Sequence, residues 1–163
     1  MEAIRPQQER QQRPMIEGVK KIQLVRHPDD RGFLTEILRR DDPHYEGFGQ
    51  IYVTYLRKGV TKAWHKHENQ TDFFYVISGT SKVGLYDDRE DSPTKGEAMQ
   101  VVLGDTGEDV LLRIPRLVWH GQMSISEYTY LVNLPTEPYN PENPDEIRAP
   151  VEAFPDIWSI QNR

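Results

Sequence analysis

Along the middle of the chain, short apolar runs alternate with polar punctuation at roughly 8–12-residue intervals. The clearest runs are VKKIQLV, GFLTEIL, QIYVTYL, FFYVISG, SKVGLYD, MQVVLG, DVLLRIP and EYTYLVNL, each bounded by Gly, Pro, Asp or Asn. Within them β-branched and aromatic residues recur with a period of two. Ile51, Val53 and Tyr55 fall on one face of a strand, and Tyr52, Thr54 and Leu56 on the other. No segment carries a sustained 3.6-residue apolar stripe, and no internal repeat is present. The pattern predicts an all-β chain folded as a small antiparallel jelly-roll barrel.

Both ends break the pattern. Residues 1–15, rich in Gln, Arg and Glu, read as a flexible N-terminal arm. Residues 135–150 hold five prolines and read as an irregular wrap over a single domain of residues 16–163. Hydrophobic residues make up only 36% of the chain, which suits a modest core flanked by polar ends. Lys and Arg number 20 against 26 Asp and Glu, a net charge of −6 with no basic cluster outside the arm. That balance argues against nucleic acid or an anionic membrane as partner. No apolar run nears the ~18 residues a membrane span needs, and the first residues lack an apolar signal core, so a cytoplasmic location is expected. The absence of cysteine excludes disulfides, thiolate catalysis and thiolate metal ligands.

Three of the five histidines carry the candidate chemistry. His65 and His67 are two apart on an expected strand, so both rings project from one face, about 7 Å apart at Cα. Pro115-Arg-Leu-Val-Trp-His120 marks a turn that delivers a third imidazole. Two neutral nitrogens and a third can converge on one cation or one substrate; the plain alternative is three unrelated surface histidines. His27 and His44 sit in Asp-rich turns and read as solvent-exposed. Tyr52, Tyr55, Phe73, Phe74, Tyr75, Trp64 and Trp119 read as barrel packing.

The spacing from Gly59 through His65, His67 and Asp72 to Gly79 resembles the first cupin motif, with Asp72 in place of glutamate. Pro115 to His120 resembles the second, with Leu117 at its glycine position and Ser124 at its asparagine. This resemblance implies a cupin barrel, a double-stranded β-helix, and a divalent metal at His65, His67, Asp72 and His120 as one option. A tighter resemblance, over about residues 22–163, is to the dTDP-4-dehydrorhamnose 3,5-epimerase family. It rests on DDRGFLTE, KAWH, YDDREDSPTKG, IPRLVWHG and ISEYTYLVNLPTEPYNP, in that order.

That family resemblance implies proton removal and return beside the ketone of a dTDP-4-keto-6-deoxy sugar, no cofactor, and a homodimer. His65 aligns with the family's base, Asn133 with its acid tyrosine, and Asn162 with the aspartate that orients the base. Arg31, Glu36, Gln50, Lys62, His120 and Tyr139 align with substrate-binding positions. Asp72 stands where the family has an enolate-stabilising lysine. An amide at 133 cannot donate a proton as a phenol does, so reduced or altered activity is expected. A metal-dependent cupin of other chemistry and a non-catalytic sugar-nucleotide binding protein remain as alternatives. A metal at His65 and a base at His65 exclude each other.

Overall fold

The computed structural model describes residues 15–160, so all but Met15 of the expected arm, and Asn162, lie outside the described residues. Ten strands follow in chain order: β1 (Lys20–Gln23), β2 (Arg26–Asp29), β3 (Gly32–Thr35), β4 (Tyr52–Arg57), β5 (Thr61–Lys66), β6 (Asp72–Asp87), β7 (Ala98–Gly104), β8 (Val110–Ile114), β9 (Val118–Asn133) and β10 (Ile147–Arg148). All named pairings are antiparallel, and a single 3₁₀ turn at Val151–Ala153 is the one helical element among the described residues. The chain is all-β, as its alternation predicts.

Two long strands organise the barrel. FFYVISG and SKVGLYD, separate runs in the sequence, belong to the single 16-residue β6, and β9 is equally long. The first half of β6 pairs with β8 and with the end of β9, giving a sheet ordered β1-β8-β6-β9-β4. Its second half pairs with β7 and with the start of β9, giving β7-β6-β9-β5-β10. Register shifts around Ser78 and Gly79 mark where the paired strands pass from one sheet to the other. Gly79 is required there: its φ is +81°, and a Cβ would lie 2.0 Å from the Tyr128 carbonyl oxygen.

The two sheets close over one apolar layer. Phe74, Val76, Val110, Leu112 and Leu131 meet Val83, Leu85, Val101, Leu103 and Val118, all buried. Each such side chain contributes about 1.5–3 kcal/mol by leaving water. A second cluster sits outside the β5–β9 half: Trp64, Trp119 and Met123 are covered by Phe154, Ile157 and Trp158. Trp64 and Trp119 thus pack away from the histidines that follow them, as strand parity predicts. Gly84 leaves the room these C-terminal residues occupy, since a Cβ there would lie 2.3 Å from Ile157. The Lys82 ammonium donates to the carbonyls of Ile157, Trp158 and Ser159 at 3.0, 3.2 and 3.0 Å, fastening the same segment. Residues 135–150 are irregular except for β10, in keeping with their prolines.

Candidate functional site

His65 and His120 face each other directly across the β5–β9 ladder. His67 follows the end of β5, and its carbonyl accepts the Leu117 N–H at 2.7 Å, tying the two histidine-bearing segments together. Leu117 holds the left-handed conformation, φ +65°, that the glycine of the second motif would supply. The turn that aims His120 inward is therefore kept without its glycine. The rings of His65 and His120 are 4.2 Å apart at their centroids, with His67 5.4 and 5.5 Å from them.

Asp72 opens β6 and is fully buried behind these rings. Its Oδ2 lies 2.9 Å from His120 Nε2 and 3.3 Å from His67 Nε2, and its Oδ1 accepts the Gln70 side-chain N–H at 2.8 Å. The other nitrogens face backbone carbonyls, His120 Nδ1 that of Val118 at 2.9 Å and His67 Nδ1 that of Asp145. A carbonyl can only accept, so both Nδ1 atoms carry hydrogen and both Nε2 atoms are turned to the carboxylate. Burial works against the Asp72 charge, yet the bonds to His120 and His67 hold it far below the usual carboxylate range. Burial likewise opposes a charge on His67, but the Asp72 hydrogen bond and charge outweigh it and raise its pKa. Asp72 is therefore not a bare carboxylate at a lysine's position; the His120 and His67 rings hydrogen-bond it from the cavity side.

His65 has the opposite balance. Burial, then the neighbouring His120 and His67 rings, push its pKa well below that of a free imidazole. It stands as a neutral ring with a lone pair, at the wall of a cavity of about 310 Å³. From the first sheet Tyr52, Thr54, Phe74, Leu131 and Asn133 line this cavity; from the second, Lys62, His65 and Gln122. Glu146 and Arg148, ion-paired at 2.8 Å, close the rim. The volume is at the lower end for ligand pockets, suited to a hexose ring with a larger attached group lying outside.

Of the residues read from the sequence, His65, Lys62 and Asn133 line the cavity, while His67, Asp72 and His120 form the layer behind His65. Arg31 and Glu36 do not reach it. They lie exposed on or just after the β2–β3 hairpin, paired to Asp29 at 2.5 Å and Arg39 at 3.1 Å. Gln50 is half-buried before β4 and Tyr139 is 62% exposed in the Pro-rich segment; neither lines the cavity. Tyr52, read as packing, is instead a cavity residue, and Tyr55 is exposed on the outer face. The sequence did hold a signal for Tyr52, which shares its strand face with Thr54. Gln122 shares the face of His120 in the same way. Glu146 and Arg148 carry no such signal, because nothing local orients a Pro-rich segment.

The four groups His65, His67, Asp72 and His120 each offer a ligand atom, all within 4.8 Å of one another. Three imidazoles and one carboxylate suit a first-row divalent ion, and the Nδ1–H bonds to carbonyls turn the right nitrogens of His67 and His120 inward. The residues therefore fit such an ion.

The model of the dTDP-4-dehydrorhamnose 3,5-epimerase family matches residues 13–160. The chain is 43% identical over 137 residues to the spore coat polysaccharide biosynthesis protein SpsL of Bacillus subtilis, covering 83% of this chain and 90% of that protein. It is 42% identical over 142 residues to the probable low-salt glycan biosynthesis epimerase Agl13 of Haloferax volcanii, covering 85% and 90%. Among solved structures, a dTDP sugar isomerase from Desulfovibrio desulfuricans matches with a TM-score of 0.81 and 35% identity, over 88% of this chain and 92% of that one.

Proposed function

The chain belongs to the dTDP-4-dehydrorhamnose 3,5-epimerase family, and from that premise we propose that it is an isomerase whose His65 removes a proton beside the ketone of a nucleotide-linked 4-keto-6-deoxy sugar. The observation that carries this reading is the His65 imidazole, held neutral by burial, at the wall of a sugar-sized cavity, backed by the buried Asp72 carboxylate 3.3 Å from His67 Nε2. A base must be unprotonated at working pH, and its burial keeps His65 so. His67, whose pKa the Asp72 hydrogen bond and charge raise against burial, supplies a cation near the developing enolate when protonated, a part given to a lysine elsewhere in the family. Lys62 at the cavity wall offers a cation to the diphosphate.

Incubation with dTDP-4-keto-6-deoxyglucose in heavy water tests the reading. Deuterium should enter C3, C5 or both, and His65→Asn should abolish the exchange while leaving the fold intact. Tight binding without exchange at either carbon would leave a sugar-nucleotide binding protein.

A second reading rests on the four converging donors: His65, His67, Asp72 and His120 would hold one divalent ion. When bound, such an ion would polarise a carbonyl as a Lewis acid. It would also take the His65 lone pair that the base needs. On this reading purified protein carries close to one first-row metal per chain by elemental analysis, and His67→Ala lowers that content at least tenfold. Protein that stays metal-free after supplementation with Zn²⁺, Mn²⁺, Fe²⁺ and Ni²⁺ leaves His65 to proton transfer alone.

We also propose a homodimer acting in the cytoplasm. Arg31 and Glu36 stand clear of the cavity of their own chain, so a role at the nucleotide requires that they reach the cavity of a second copy. Asn162, as orienter of the base, remains part of the proposal by alignment, outside the described residues.

A further inference from the structure

With an amide at position 133, the cavity needs another proton donor facing His65. Tyr52 is the direct neighbour of Asn133 across the β4–β9 ladder. The Asn133 Oδ1 accepts the Phe73 N–H at 3.2 Å, which fixes the orientation of the amide. Its Nδ2 is thereby turned to the Tyr52 hydroxyl oxygen, 2.8 Å away. That bond fills an acceptor site on the phenol oxygen and leaves its own hydrogen unspent. Among the described residues no protein group accepts it, and Tyr52 lines the cavity.

The placement is suited to reaction on two faces. His65 comes from the β5 side of the barrel and Tyr52 from β4, which pair with opposite ends of β9. The two therefore belong to facing sheets, whose separation of about 10 Å leaves room for a sugar ring between them. Burial, with the negative charge of Asp72 adding to it, pushes the Tyr52 phenol up to about 12, so it is protonated throughout the neutral range.

We propose that Tyr52 is the catalytic acid of this chain, delivering a proton to the substrate carbon from the face opposite His65, and that Asn133 is its positioning residue. The assignment rests on the reading of His65 as base. In the first half, the His65 nitrogen takes the proton from the carbon beside the ketone, and the C–H pair becomes the enolate. In the second, the enolate pair takes the Tyr52 hydroxyl proton on the other face, restoring the ketone with the centre inverted. The phenolate regains a proton from water, and the imidazolium loses one to it. The phenol has thus moved one strand across the sheet, from β9 to β4.

The test compares wild type, Tyr52→Phe, Asn133→Ala and His65→Asn on dTDP-4-keto-6-deoxyglucose in heavy water, reading deuterium entry and inversion separately. Without the acid, His65 returns deuterium to the face it deprotonated. Tyr52→Phe should therefore cut inversion about 100-fold or more, within the usual range for general acid catalysis, while exchange stays within a few-fold of wild type. Asn133→Ala should lower the ratio of inversion to exchange in the same direction but less, whereas a purely structural role would lower both together. The second variant also keeps the test alive should Tyr52→Phe fold poorly. An unchanged ratio in both variants, or equal loss of exchange and inversion, overturns the assignment of Tyr52 alone. Absence of any exchange by wild type instead removes the His65 reading and this assignment with it.

Discussion

Asp87, at the end of β6, is fully buried and holds a charge by saturating it with donors. Arg89 reaches it from Nε at 2.8 Å and Nη2 at 2.9 Å, Ser92 Oγ at 2.5 Å and Thr94 Oγ1 at 2.7 Å. Burial opposes its ionisation, but these bonds win and depress its pKa far below the usual range. A depressed carboxylate contributes stability that is present above its unfolded value of about 3.9 and lost as pH falls toward its folded value. Asp87→Asn should therefore cost about 2 kcal/mol at pH 7. For a chain of this length that is roughly 4–8 °C in Tm. Thermal melts from pH 7 to pH 2 check both parts: the variant's deficit should shrink below about pH 4, where the unfolded wild-type Asp87 takes up a proton that the folded one does not. Ser92 and Thr94 in this turn thus hold a buried charge at its centre. The same logic separates the two site histidines: His67 is raised by a carboxylate at 3.3 Å, while His65, with no such bond, is lowered.

Between strands, the decisive element is the turn from β8 into β9. Pro115 stops β8, Leu117 reverses the chain in the left-handed region, and three residues later His120 points into the barrel. A side chain pays sterically for that conformation, about 1–2 kcal/mol, which glycine avoids. Leu117 is 39% exposed, so little packing is lost on its removal. Leu117→Gly should thus be neutral to stabilising by about 1 kcal/mol, the relief of strain exceeding the added freedom of the unfolded glycine. Chemical denaturation would read it; destabilisation by more than about 1 kcal/mol would mean that the Leu117 side chain holds the turn through its contacts. β4 is the other informative element. Its inward face (Tyr52, Thr54, Leu56) and outward face (Val53 and Tyr55, with Ile51 just before the strand) follow the alternation in the sequence, but alternation alone left open which face met packing and which a cavity.

For the whole molecule, the outward face of β4 is the feature most in need of a partner. Ile51, Val53 and Tyr55 are 57, 55 and 50% exposed, beside Tyr128 and Tyr130, and among the described residues β4 pairs on one edge only. Tyr55 stacks on Tyr128 at 6.4 Å and meets Tyr130 at a tilt, 5.1 Å between centroids, extending the aromatic surface. An unpaired edge with an apolar face is a site for association. The proposed homodimer should use it, so sedimentation at micromolar concentration should give twice the chain mass. Val53→Glu should shift the population to monomer, and nucleotide affinity should fall with it if Arg31 acts on the second copy. A monomeric wild type would end this proposal.

The amino-acid pattern alone settles the all-β class, the strand faces and the shared face of His65 and His67. These follow from parity and short-range spacing, which a pleated strand translates into direction whatever surrounds it. It did not decide that two runs join into the one strand β6, that Tyr52 borders the cavity, or that Arg31 and Glu36 stand outside it. Those depend on which strands become neighbours. Tyr52 and Asn133 are 81 residues apart, and Asp145 reaches His67 across 78. Contacts of that separation arise only when the two sheets close on a shared core, so the meeting of Tyr52 with Asn133 at the cavity that His65 lines is a property of the barrel and not of any segment within it.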